Sequence, residues 1–421
     1  MYLIYTTVLY LLLPFVLIRL MWLGRKTPAY RQRWQERLGL VQPLASARKL
    51  IWIHAVSVGE VHVSRPLVDQ LQRQYPDYGI LITTVTPTGE ATARQIYGAA
   101  LQHRYFPYDL PFAITRFLET FRPSVLLILE TEIWPNLYRC CQQSAIPILL
   151  LNARLSERSF THYQLLKSLT AHTLQGATVI AAQTPLDADR FTQLGASADK
   201  VTVTGNLKFD ITMATEVREQ GKLIRSQFSS HPNVWIAAST HQGEEQLVLS
   251  ALAIVLKSIP DSLLIIAPRH PERSRAIYDI CVKRGFKTVS YSTTGAWDVS
   301  TRIFILDVLG QLPAYYAAAD IAFVGGSLVP VGGHNLLEPA WLGLPVISGP
   351  HLYNFTGVAK LLDKAKALVR VDNAEQLGEK VVNLFLDASL RADLGDKARQ
   401  VIAENQGSIQ RVMRLIEKYL L

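Results

Sequence analysis

Glycines, a histidine and a carboxylate are brought together in Gly332-Gly333-His334-Asn335-Leu336-Leu337-Glu338-Pro339. This stretch follows the apolar run Ile321–Val324 and Gly325-Gly326-Ser327, and a second apolar run, Leu344–Ile347, comes shortly after it. The pattern predicts strand, glycine loop, short helix, strand. Glycines before a helix let a ligand approach the backbone, and the free N–H groups of a helix start attract an anion. Glu338 is expected about one turn in, on the face shared with His334 by i,i+4 spacing. A carboxylate there can accept both hydroxyls of a ribose while the helix start holds a phosphate. The ordinary alternative is a glycine turn with a Glu that complements the helix dipole.

Six further polar motifs each follow an apolar run. In the first half they are Ser57-Val58-Gly59-Glu60, Thr86-Pro87-Thr88-Gly89-Glu90, Glu130-Thr131-Glu132-Ile133-Trp134-Pro135-Asn136 and Asn152-Ala153-Arg154. In the second half they are Ser239-Thr240-His241-Gln242-Gly243-Glu244 and Pro268-Arg269-His270-Pro271. Glu60 opens a helix beside a glycine and can act as general base on a sugar hydroxyl; a helix-dipole carboxylate is the alternative. Glu130 and Glu132 point opposite ways if their strand continues, one to a site and one to an ion pair. Ser239 and Thr240 can donate to a phosphate or merely cap a helix. Arg269 offers a planar fork to phosphate, or a surface ion pair. His270 can stack on a base or complete a core hydrogen bond. Lys208, after Gly205-Asn206-Leu207, can reach a leaving phosphate from the hinge or remain solvated.

The elements that must position these residues are short β-rich runs alternating with segments of helical length. The first set is Leu50–Val56, Ile80–Val85, Val125–Leu129, Ile148–Leu151, Val179–Ala182 and Val201–Val203. The second is Val234–Ala238, Leu263–Ala267, Ile303–Leu306, Ile321–Val324 and Pro345–Ile347. Such alternation predicts parallel sheets covered on both faces, with ligands beyond the strand C-terminal ends. A chain of 421 residues suits two such domains facing a central cleft. The polar segment Asp210–Pro232 is the expected linker. The expected divisions are 1–23, 24–209, 210–406 and a last helix over 407–421.

Tyr2 through Ile18 carry no charge, and after Arg19 the apolar run resumes over Leu20–Leu23. The segment is long enough to span a bilayer if Arg19 snorkels to the interface; the competing picture is a helix lying in one leaflet. Arg25, Lys26, Arg31, Arg33 and Arg37 follow it, so its C-terminal side is expected in the cytoplasm. The net charge is +9, and its concentration beside an apolar N-terminus points to an anionic membrane rather than to nucleic acid. Three cysteines without CxxC spacing suggest neither disulfides nor a zinc site. The absence of GxxxxGK[ST], of an opening GxGxxG and of a strand-end DxD argues against a P-loop nucleotidase, a dehydrogenase and a metal-held nucleotide diphosphate.

Taken together and in order, these motifs resemble the Kdo (3-deoxy-D-manno-octulosonic acid) transferases of Gram-negative bacteria. The matching runs include Ser57–Glu60, Glu130–Asn136, Asn152–Arg154, Gly205-Asn206-Leu207-Lys208-Phe209-Asp210, Ser239–Glu244, Pro268–Arg273, Gly332–Pro339 and Gly349-Pro350-His351. The resemblance implies an α/β GT-B fold of two Rossmann-like domains with an N-terminal membrane-anchor helix. It implies inverting transfer of Kdo from CMP-Kdo to the lipid A precursor, lipid IVA, at the cytoplasmic face of the inner membrane, with no metal or other cofactor. The last helix is implied to cross back to the first domain. Glu60 matches the general base and Glu130 a second important carboxylate. Ser239, Thr240, His241, Arg269, His270, Gly332, Gly333, Asn335 and Glu338, with Lys208, are assigned to the CMP-sugar.

Overall fold

The computed structural model describes residues 1–43, 49–98, 100–210, 215–293 and 298–420. The chain divides into two compact units, Met1–Asp210 with Asn405–Leu421, and Ile211–Glu404.

The first unit is built on a parallel sheet of seven strands: β1 (Leu50–His54), β2 (Gly79–Thr84), β3 (Gln102–Tyr105), β4 (Val125–Leu129), β5 (Ile148–Ala153), β6 (Val179–Ala182) and β7 (Val201–Val203), in the order β3-β2-β1-β4-β5-β6-β7. Its central strands are apolar on both faces because each face carries a core. Leu50, Trp52, Leu126 and Ile128 face Phe106, Phe117 and Leu137 on one side. Ile51, Ile53, Leu127 and Leu129 face Val61, Leu67 and Val68 on the other. The last helix, Ser408–Glu417, joins this second core through Ile409, Val412, Met413 and Ile416. Asp210 fastens it by accepting the backbone N–H groups of Gly407 and Ile409.

The second unit repeats the architecture with β8 (Val234–Thr240), β9 (Leu263–Pro268), β10 (Thr288–Ser290), β11 (Ile303–Ile305), β12 (Ile321–Val324), β13 (Val346–Ser348) and β14 (Leu368–Arg370), in the order β10-β11-β9-β8-β12-β13-β14. Three strands missing from the sequence reading, β3, β10 and β14, are all edge strands with polar or charged residues. β3 and β14 are partly exposed and need no continuous apolar run, while β10 is buried but only three residues long, with Thr288 and Ser290 flanking a single apolar residue.

The expected linker is corrected. Residues 211–214 lie outside the described residues, but Thr215–Gln227 is a helix of the second unit. Ile224 and the following Phe228 pack into that unit's core, and Arg225 pairs with Asp320 at 2.9 Å. The segment looked like a linker because only one narrow stripe of it is apolar.

The N-terminal helix, Tyr2–Lys26, belongs to the first unit and is laid lengthwise on it. Tyr2, Tyr5, Thr6, Leu9, Leu13, Leu17, Leu20 and Gly24 are less exposed than their neighbours and repeat every three or four residues, which is one helical face. The opposite face, including Ile4, Leu11, Phe15, Ile18 and Trp22, is open.

Candidate functional site

In both sheets the strand order reverses at one crevice, between β1 and β4 in the first unit and between β8 and β12 in the second. Open α/β sheets bind ligands at such switch points, beyond the strand C-terminal ends. Glu60, Glu130, His241 and the Gly332–Glu338 stretch follow these four strands, while Arg269 and His270 follow the neighbouring β9 and Lys208 follows β7. Three of the residues singled out above adopt the left-handed backbone that side chains rarely take: Glu130 at φ 60°, Asn152 at φ 55° and Ser239 at φ 57°. Strain of this kind gathers at functional sites.

In the first unit, Glu60 lies in the opening turn of the helix Val58–Gln74, only 8% exposed. One carboxylate oxygen accepts the Val56 N–H at 2.5 Å and the other the Ser57 hydroxyl at 3.1 Å. Glu60 therefore also steadies its own helix start, as the helix-dipole alternative required. Burial pushes its carboxyl up to about 8, the Val56 N–H pulls it down, and the neighbouring charges of Glu130 and Glu132 push it up again. Three carboxylates thus share one pocket of field. The alternation expected of Glu130 and Glu132 does not apply, because β4 ends at Leu129 and the chain turns at Glu130. Glu130 makes the ion pair, with Lys208 at 3.4 Å. Glu132 accepts the Trp134 indole N–H at 2.7 Å, and burial lifts it to about 7.

Lys208 accordingly stands in the first unit beside Glu130. Its loop is set by Asn152, whose buried amide oxygen accepts the Leu207 N–H at 3.0 Å, and by Asn206, which accepts the Lys208 N–H at 3.0 Å. The left-handed turn at Asn152 is what aims that amide across the sheet end.

In the second unit, one residue organises the loops. Glu244 is fully buried, and its carboxylate accepts four backbone N–H groups: His241 at 3.2 Å, Gly326 at 2.7 Å, Ser327 at 3.0 Å and Leu328 at 2.9 Å. It joins the β8 loop to the glycine loop after β12. A side chain at Gly325 would meet its carboxylate at 2.6 Å, which explains the glycine there. Sequence reasoning placed Glu244 in a motif but gave it no role; three of its four partners lie more than eighty residues away.

Around this pillar, His241 and His334 meet Nε2 to Nε2 at 2.7 Å, their rings parallel to within 1°. One donates and the other accepts, so the pair holds a single hydrogen bond when neutral. Burial lowers both, His334 to about 4. His270 stands edge-on to His241 with ring centres 5.8 Å apart. Arg269 is exposed, makes no ion pair among the described residues, and lies close enough to depress both His241 and His334.

Two expectations change here. Glu338 and His334 do not share a helix face, because the helix covers only Leu337–Leu342. Gly332 and Gly333, at φ 108° and 74°, turn the chain first, and Asn335 accepts the Leu337 N–H at 3.1 Å to start the helix late. Glu338 instead accepts the Asn335 amide at 2.9 Å and is raised by burial, with Asn335 opposing. Thr240 is fully buried, since β8 runs on through it, and its hydroxyl has no partner among the described residues; Ser239 is half-buried. Of the two residues, only Ser239 is partly exposed.

Two doubly wound units with candidate residues at both switch points define the GT-B architecture. Solved structures of that kind match along most of the chain: a glycosyltransferase from Rickettsia africae (15% identity, TM-score 0.57, covering 89% of this chain and 99% of that one) and a UDP-GlcNAc 2-epimerase from Neisseria meningitidis (16%, 0.58, 88% and 100%). The family model for 3-deoxy-D-manno-octulosonic-acid transferase (kdotransferase) matches residues 32–211. A 3-deoxy-D-manno-octulosonic acid transferase of Haemophilus influenzae is 37% identical over 99% of this chain and 98% of its own length. A probable mitochondrial transferase of the same name from Arabidopsis thaliana is 31% identical over 100% and 96%. The chain belongs to the 3-deoxy-D-manno-octulosonic acid transferase family.

Proposed function

We propose that this Kdo transferase takes Kdo from CMP-Kdo and places it on a hydroxyl of the lipid A precursor, lipid IVA, with inversion, at the cytoplasmic face of the inner membrane. The observation that carries the reading is Glu60, a buried carboxylate at the first unit's switch point, raised to about 8. A carboxylate that basic removes a proton from an alcohol better than an ordinary one does.

In this reading Glu60 takes the acceptor proton as the acceptor oxygen attacks the anomeric carbon of Kdo. The bond from that carbon to the CMP phosphate oxygen breaks, and CMP leaves with the electron pair. The transition state has oxocarbenium character, as in glycoside cleavage. Arg269, whose guanidinium has no ion-pair partner among the described residues, meets the charge growing on the phosphate. Ser239 donates to the same phosphate, and the carboxylate of Glu338 receives the ribose hydroxyls. His241, His270 and His334 line the donor pocket, Gly332 and Gly333 let the nucleotide approach the backbone, and Lys208 holds Glu130 in place. No metal takes part.

The test is incubation of the full-length protein with CMP-Kdo and lipid IVA, with the product mass read directly. A gain of one or more Kdo residues is expected. Intact acceptor, with the protein folded and binding CMP, overturns the acceptor assignment.

A further inference from the structure

The N-terminal helix is long and apolar enough to span a bilayer by length and composition. Its contacts do not suit a span. The Tyr5 hydroxyl donates to Asp109 at 2.8 Å, and the Thr6 hydroxyl to Asn136 at 2.8 Å. Tyr2 meets Thr173 at 3.4 Å and His172 edge-on, and Tyr10 stacks on Phe112. At the other end, Arg31 grips the Met21 carbonyl with two N–H groups. The first turns of the helix are therefore tied to the globular unit, and near the other end Leu20 is buried as well.

Geometry makes the two arrangements exclusive. From Tyr5 to Trp22 the helix rises about 26 Å, close to the full hydrocarbon thickness of about 30 Å. If the basic end stayed at the cytoplasmic surface and the helix crossed, Tyr5 would lie near the opposite surface, out of reach of Asp109. Asp109 is buried and accepts Tyr5 together with the N–H groups of Asn136 and Leu137, so this contact completes a built site. Tyr2, Tyr5 and Thr6 lie on the docked face, while Thr7 is exposed.

The outer face has the opposite character. Ile4, Leu11 and Ile18, seven residues apart, are 66%, 69% and 66% exposed. Such an open apolar strip asks for a cover. The first 35 residues hold no Asp or Glu, and Arg19, Arg25 and Lys26 are exposed along the strip's C-terminal half. Apolar surface bordered by uncompensated cations fits a leaflet with anionic headgroups.

We propose that the helix Tyr2–Lys26 lies in the plane of one leaflet, its outer face in the acyl chains and its inner face on the first unit, without crossing the bilayer. The inference rests on the membrane placement proposed above and not on the reaction. It makes the helix a keel that fixes the height of the first unit's sheet over the lipid surface.

The test uses the full chain bound to vesicles of phosphatidylethanolamine and phosphatidylglycerol, spin-labelled singly at Ile4→Cys, Leu11→Cys or Ile18→Cys. The native Cys140, Cys141 and Cys281 are buried and do not compete for label. Collision with oxygen against a water-soluble nickel chelate reports depth. One common shallow depth at all three positions is expected. Oxygen collision that peaks at Leu11→Cys and falls on both sides means a span and overturns the proposal. Nickel access at all three means that no lipid covers the strip, and overturns it too. Kdo transfer measured in the same vesicles separates failure of the topology from failure of the activity.

Discussion

The basicity of Glu60 sets a measurable pH signature. Its carboxyl stands at about 8 against an ordinary 4.5, chiefly through burial and then through Glu130 and Glu132. At pH 7 about one molecule in ten carries the ionised base, since each pH unit is a factor of ten. The rate constant kcat/KM should therefore climb about tenfold from pH 7 to a plateau above pH 9, with its midpoint near 8. Glu60→Gln keeps the shape and an oxygen to accept the Val56 N–H, with its amide N–H now donating to the Ser57 hydroxyl; it loses about two or more orders of magnitude and flattens the profile. Glu130→Gln removes one neighbouring negative charge and should move the midpoint of the residual rate to lower pH. Stability follows with the opposite benefit. The folded chain holds a proton on Glu60 that the unfolded chain surrenders from pH 4.5 upward, so this group's contribution falls as pH rises from about 4.5 to about 8. Glu60→Gln removes that loss, a gain at pH 8 of about 4–5 kcal/mol at most at 1.36 kcal/mol per pH unit. The assay is initial rate against pH on detergent-dispersed acceptor, with urea unfolding at pH 5 and pH 8. A glutamine variant that keeps the rising limb would show that a substrate group, not Glu60, titrates, and would refute the assignment.

Glu244→Ala leaves the buried N–H groups of Gly326 and Ser327 without an acceptor; at about 1–3 kcal/mol each, unfolding stability should drop by about 2–6 kcal/mol, and a wild-type melting curve contradicts the pillar role. Glu338→Ala should weaken CMP binding with little effect on melting; calorimetry showing unchanged CMP affinity removes the ribose role. A chelator should leave Kdo transfer unchanged, and loss of turnover restored by added divalent ion would bring a metal into the reaction.

Much of this protein was legible in the chain itself. β4, β6 and β12 have the boundaries that their apolar runs predict, because a strand buried on both faces must be apolar at every position. Polar motifs directly after those runs had to fall on one edge of each parallel sheet. The order of the motifs carried the family. What a linear reading could not supply was the set of partners. That Glu132 joins Glu60 and Glu130, that His241 meets His334, and that Glu244 gathers a loop eighty residues away depends on which strands become neighbours. Local spacing even misled where a backbone turn intervened, as at Gly332-Gly333 before Glu338 and at Glu130 after β4. The N-terminal helix shows the same division. Its composition announces a lipid-seeking segment, but from Val8 to Ile18 it is apolar all round apart from the Tyr10 hydroxyl, so periodicity is silent on which face docks. Only the folded contacts of Tyr2, Tyr5 and Thr6 with residues more than a hundred positions away choose the inner face, because hydrogen bonds across such a separation exist only once the unit around Asp109 has formed.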